Sequence, residues 1–246
     1  MEERMKQDVI YSLKKEMKQR GFSEQETDLV CGTYEKMLAY PVEWESTYIA
    51  PSEVFGKKLL EITENESPLK DCVFNALLGQ ICIFLPREDY TEADKYHKAV
   101  SYDTKATKIY EEQIVGTAME DSKLISEIYL SLNTLCEWLA DISAKESKLG
   151  EEIEYRIKAI KAEEKACEYD PTYSSEFLAK SYQEMGLLYK KYADSFLAYA
   201  EDYLFKALDI YIPLAEKNDY LKYDLEECKE AISEVKEAQG WTLTKE

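Results

Sequence analysis

The sequence predicts an all-α protein built from antiparallel helix pairs. Three observations carry this reading. Apolar residues recur at steps of three and four along most of the chain, the spacing that places them on one helical face. Turn-forming residues are scarce, with 8 Gly and 6 Pro in 246 residues, which favours long helices over a many-stranded sandwich. Hydrophobic residues make up 45% of the chain, enough for a substantial core.

Taken in order, residues 3 to 20 carry Met5, Val9, Leu13 and Met17 on one face among lysines, an amphipathic helix closed by Gly21. Ser23, followed by Glu24 and Glu26, caps the next helix, whose face includes Leu29, Tyr34 and Leu38. Pro41 ends it. Residues 41 to 51, with Trp44, Tyr48 and two prolines, read as an irregular connection. Ser52-Glu53 then starts a helix carrying Val54, Leu59, Leu60 and Ile62, and Thr63 to Pro68 is a polar break. The helix over about 69 to 85 is apolar nearly all round, so it belongs in the middle of a packed layer, and Pro86 stops it.

Thr91 opens a helix to about 113 with Ala93, Tyr96, Ala99, Val100, Ala106 and Ile109, broken by Gly116. Residues 122 to 142 are the most regular stretch: Ile125, Ile128, Leu132, Leu135, Leu139 and Ile142 step by three and four. Tyr129 and Cys136 widen that stripe. Lys145 to Gly150 is a turn, and Glu151 to Tyr169 a further helix ended by Asp170-Pro171. Phe177 to Leu214 reads as two helices back to back. Leu178, Tyr182, Met185, Tyr189 and Tyr192 line the first; Ala200, Leu204, Ala207, Tyr211 and Leu214 line the second. Gly186 and Ala200 are small enough to let the two backbones approach. Asn218 caps a last helix to about 238 with Glu and Lys outward, and the tail from Gly240 includes Trp241.

Tyr182-x2-Met185-Gly186-x2-Tyr189, then Ala200-x3-Leu204-x2-Ala207 and Pro213, resembles the tetratricopeptide signature W-x2-L-G-x2-Y…A-x3-F…P. Tyr129-x2-Leu132-Asn133-x2-Cys136, with Ala159, Glu163, Ala166 and Pro171, is similar to the same pattern. Phe74, Leu77 and Ile81 with Ala99 and Ala106 give a fainter echo. The anchors Phe74, Tyr129 and Tyr182 lie 55 and 53 residues apart, against about 34 in the family, so helices or loops would be elongated. The resemblance implies a TPR-like α-solenoid of about nine or ten helices. Residues 1–68 would be an N-terminal helical segment packing on the stack, 69–240 the repeats with a closing helix, and 241–246 a tail.

The charge balance of 31 basic against 50 acidic residues gives −19. That field repels nucleic acid and anionic membrane surfaces. It suits solubility or a basic partner. The six cysteines form no C-x2-C pair and read as reduced core thiols of a cytoplasmic protein. The longest apolar stretch, Val73 to Pro86, is too short to span a bilayer. The one histidine, His97, forbids an H-E-x-x-H zinc site and reads as a surface residue; no metal or cofactor is expected. Glu runs at 62–66, 151–154 and 226–230 read as solvated faces. Phosphate-, nucleotide- and serine-hydrolase motifs are missing from the sequence. The four arginines, Arg4, Arg20, Arg87 and Arg156, are scattered, which argues against a 14-3-3-type phosphopeptide site.

The expected role is therefore non-catalytic binding of a protein or peptide, as scaffold or adaptor. The resemblance implies that the first helix of each pair lines a concave groove. Its residues would be Glu127, Leu130, Thr134 and Trp138 on one helix, with Trp138 the strongest anchor. Lys180, Gln183, Leu187 and Lys190 would line the next. A second reading is a cytosolic sensor that holds a small molecule or signal peptide among the twenty tyrosines.

Overall fold

The computed structural model describes residues 3–39, 49–62, 67–173, 175–192 and 194–240. Among them every regular element is helical. The ten α-helices are α1 (Glu3–Gln19), α2 (Glu24–Ala39), α3 (Ile49–Glu61), α4 (Ser67–Ile83), α5 (Glu92–Gln113), α6 (Ser122–Lys145), α7 (Leu149–Tyr169), α8 (Ser175–Tyr192), α9 (Leu197–Ala215) and α10 (Lys222–Ala238). Within each unit helices pack in neighbouring pairs, among them α1 with α2, α3 with α4, α4 with α5, α6 with α7 and α8 with α9, and the chain divides into two compact units, residues 1–169 and 170–246. The division falls at Asp170-Pro171.

In the first unit, α4 is the central element. Eleven of its residues are buried, from Leu69 to Cys82, as an all-round apolar helix requires. Helices α2, α3 and α5 pack on it, and α1 packs on α2 and α3. Val9, Leu13 and Met17 of α1 are fully buried, and Gly21 leaves the helix at φ +80°. At the start of α2, Ser23 caps as expected: the Glu26 amide donates to its hydroxyl at 3.2 Å, and the Ser23 amide donates back to Glu26 at 2.9 Å. Thr91 and Asp94 make the same reciprocal box ahead of α5, at 3.1 and 3.0 Å.

Three sequence expectations need correction. Helix α3 begins at Ile49, so Ser52 is not its cap; Ser52 lies inside the helix and is fully buried. The buried line of α3 is Ser52, Phe55, Leu59 and Ile62, whereas Val54 and Leu60 face solvent. The contact positions are small ones, Ser52 and Gly56, because Tyr34 of α2 lies over them with its hydroxyl 3.4 Å from the Ser52 carbonyl. The second correction concerns α4, which starts at Ser67 with Pro68 in its first turn, where a missing amide costs nothing. Third, Asn218 precedes a short 3-10 turn, Asp219–Leu221, and makes no side-chain cap; α10 starts only at Lys222. Pro41, Trp44, Tyr48, Trp241 and the break at 63–66 lie outside the described residues.

Helices α5, α6 and α7 follow one another in alternating directions. Across α5 and α6 the contacts run Tyr96–Trp138, Asp103–Ser131 and Tyr110–Asp121. Across α6 and α7 they run Ser126–Ala166, Asn133–Ala159 and Asp141–Arg156. Both sequences descend on one helix as they rise on the other, so each pair is antiparallel. Helix α5 runs parallel to α7: His97 meets Tyr155 near both starts, and Tyr110 meets Tyr169 near both ends.

The second unit repeats the arrangement. Gly186 of α8 abuts the Ala200 carbonyl and Leu204 of α9, the close approach its missing side chain permits. Met185, Ala200, Leu204 and Ala207 are fully buried. Tyr192 departs from the expected stripe and is exposed, because α8 ends there and the chain turns through the 3-10 segment Asp194–Phe196. Helix α10 packs on α9, where the Cys228 thiol donates to the Leu204 carbonyl at 3.3 Å.

Candidate functional site

The two expected groove lines lie in different units. On α6, Glu127, Leu130, Thr134 and Trp138 are all half-buried. Leu130 packs on the main core and the Thr134 hydroxyl donates to the Leu130 carbonyl at 3.1 Å. Trp138 rests on Tyr96 of α5 with ring centroids 4.8 Å apart, in a cluster with Cys82, Leu85 and Leu135. Much of this line is thus occupied by its own neighbours.

On α8, Lys180 and Leu187 are exposed, Lys190 is half-buried, and Gln183 is buried. Gln183, next to Tyr182 and one turn before Gly186, is buried with them, which takes it out of the outward-facing set. Lys190 pairs with Glu234 of α10. At the other end, the Tyr220 hydroxyl donates to Glu176 at 2.8 Å. Start meets start and end meets end, so α8 and α10 run parallel with α9 antiparallel behind them.

Placing α10 beside α8 reveals residues that sequence reading left as a solvated face. Tyr223, Glu227, Glu230, Glu234 and Glu237 step by four and three, and all are exposed. Tyr223 is 69% exposed, and Leu187 on α8 is 40% exposed. The Glu227 carboxylate accepts from the Tyr223 hydroxyl and pushes its pKa up. The Glu176 contact does the same to Tyr220. The heptad-like spacing was visible in the sequence; what was hidden was that this row meets Lys190 of α8 through Glu234.

A second feature of the same unit is an aromatic cluster at the α8–α9 turn. The Tyr189 ring lies 5.5 Å from Tyr199, 5.6 Å from Phe196 and 5.8 Å from Tyr203. Tyr203 continues to Tyr182 at 6.0 Å, and the Lys206 ammonium sits over both of these rings at 5.3 and 5.1 Å. Tyr189 is held up in pKa by burial, while Tyr199 stays 56% exposed. The edge of this cluster is therefore open to solvent.

Elsewhere, exposed His97 stands 3.4 Å from the Tyr155 hydroxyl. Among the described residues no group of three His, Cys, Asp or Glu could hold a metal, and no helix is long and apolar enough to cross a membrane. Comparison with protein-family models, with curated proteins and with solved structures yields no match to this chain.

Proposed function

We propose that this chain is a non-catalytic, TPR-like helical-repeat protein of the cytoplasm that binds a basic protein or peptide segment along α8 and α10. The parallel pairing of these two helices, fastened at both ends and backed by α9, carries the proposal. It is the relation between first helices of successive pairs in a helical-repeat stack. The same alternation in α5 to α7 supports a repeated hairpin plan. The exposed surface of the α8–α10 pair combines two apolar anchors, Leu187 and Tyr223, with a glutamate row. Apolar anchors supply affinity, and complementary charge supplies rate and selectivity.

The test is fluorescence anisotropy of the full chain against labelled Lys/Arg-rich amphipathic peptides and their Glu-substituted counterparts. The proposal expects saturable, salt-weakened binding of the basic set. Leu187→Asp and Glu230→Lys should each weaken it about tenfold, the size of one lost anchor contact. Equal binding of both sets, or no effect of either variant, overturns it.

The aromatic cluster favours a second reading, a small-molecule sensor that stacks its ligand on Tyr199 and Tyr203. Thermal stabilisation by aromatic or sugar ligands, lost in Tyr199→Ala, would support that reading over the first.

A further inference from the structure

Where α4, α5 and α6 meet, two buried polar side chains and a half-buried one come together. Gln80 of α4 is 2% exposed and Asp103 of α5 is 0% exposed. The Gln80 amide donates to the Ser131 hydroxyl of α6 at 2.6 Å, and that hydroxyl donates to Asp103 Oδ2 at 2.5 Å. Two buried atoms have no hydrogen-bond partner among the described residues, Gln80 Oε1 and Asp103 Oδ1. Asp103 Oδ1 lies over Gly79, the residue next to Gln80, in the space a β-carbon there would fill. Both orphan oxygens are thus at the same joint, on the α4 side.

Two hydrogens are placed at this joint, a Gln80 N–H on Ser131 and the Ser131 O–H on Asp103 Oδ2. The other N–H of the Gln80 amide does not reach Asp103 Oδ1, which, like Gln80 Oε1, has no donor. A proton on the carboxyl is a third hydrogen, which lets Asp103 Oδ1 donate instead of standing as a bare acceptor. An ionised Asp103 in this arrangement leaves two buried acceptors without a donor, which is costly.

We propose that Asp103 carries a proton in the folded protein, closing Gln80, Ser131 and Asp103 into a ring that locks α4, α5 and α6 together, and that losing this proton loosens the joint. Burial pushes the Asp103 carboxyl up to about 8, against a smaller opposing pull from Ser131. The titratable groups facing it are the thiols of Cys72 and Cys82 on α4 and Cys136 on α6, each pushed up to about 12 by burial. They stay neutral through the range in which Asp103 titrates. Lys98 and Asp71 act on Cys82 and Cys72 and are not among the causes that shift Asp103.

The sign follows from linkage. The folded carboxyl keeps a proton that the unfolded chain releases near its ordinary value of 3.8. The stabilisation is complete below that value, declines as pH rises, and is gone above about 8. With one proton at stake, the unfolding constant should rise by up to about tenfold per pH unit between these limits.

The experiment compares urea unfolding of the full chain with that of Asp103→Asn from pH 5 to 9. The asparagine amide supplies the third hydrogen at every pH, so the variant should lack the component of the slope that the wild type shows. Parallel profiles overturn the proposal. Isotope-edited infrared spectra of the wild type provide a readout that needs no variant. A protonated-carboxyl band from a buried Asp should persist at pH 6 and vanish as pH passes about 8. Absence of that band at pH 6 equally overturns it.

Discussion

Gly186 faces the backbone carbonyl of Ala200 across the α8–α9 seam with no space for a side chain. A β-carbon at Gly186 would stand 3.0 Å from that oxygen and 2.6 Å from Leu204 Cγ. Two effects of Gly186→Ala therefore oppose each other. Alanine is the better helix former by about 1 kcal/mol. Overpacking a tight seam costs about 1–3 kcal/mol. The obstacle includes backbone, which cannot move without shifting α9 as a whole, so the second effect should win. The expected outcome is a net loss of about 1 kcal/mol in urea unfolding. A gain in stability would show that the two helices stand further apart.

That seam was legible because small residues sit opposite each other within a regular apolar stripe. The stripe of α6 was legible from its regular period: Ile125, Ile128, Leu135 and Leu139 are buried, and Leu132 and Ile142 are half-buried. Helix α3 was misread by one phase because Val54 and Phe55, and Leu59 and Leu60, are adjacent apolar pairs, between which periodicity cannot choose. The choice is made by Gly56, whose added β-carbon would meet the Tyr34 hydroxyl at 2.5 Å. The polar ring at Asp103 could not be read either, since an aspartate in a helix with lysines belongs on the surface by pattern alone. On α10, the glutamate row could be read as a stripe. Its neighbourhood, set by the Tyr220–Glu176 and Lys190–Glu234 links, is tertiary information.

Arg156 holds three carboxylates between α6 and α7: Glu137 at 2.8 Å, Asp141 at 3.2 Å and Glu152 at 3.5 Å. Glu152 is buried and pairs with this guanidinium. Arg156→Ala should destabilise the protein by about 3 kcal/mol, the low end of the cost of stranding a buried ion. Arg156→Lys should recover only part of that, because one ammonium cannot span the same three groups. In the Glu152→Gln background the Ala substitution should cost clearly less. A double-mutant cycle by urea unfolding measures the coupling. Additive effects would show that Glu152 does not rely on Arg156.

The thiols should differ sharply in reactivity. Burial pushes Cys72, Cys82 and Cys136 up to about 12 and Cys228 up to about 11, and Cys31 is raised as well. All five are buried, whereas Cys167 on α7 is half-exposed. Only the thiolate reacts with alkylating reagents, and burial disfavours it in the other five, while access favours Cys167. Iodoacetamide at pH 8 should modify Cys167 first, with the other five following only as the chain unfolds. Peptide mass spectrometry at successive times gives the order. Early modification of Cys72 or Cys136 would contradict the packing around Asp103.

Trp138 separates a packing role from a partner-binding role. It is half-buried and rests on Tyr96, at a point where α5 and α6 cross. Removing a large aromatic side chain from a full core costs about 3–5 kcal/mol. Partial exposure here lowers the expected loss for Trp138→Ala to about 2 kcal/mol. Trp138→Phe keeps a ring against Tyr96 and should recover most of it. If the packing role is the whole role, peptide binding measured well below both melting midpoints will be unchanged in either variant. Should Trp138→Ala leave the melting midpoint in place while abolishing binding, the residue is a partner anchor on α6.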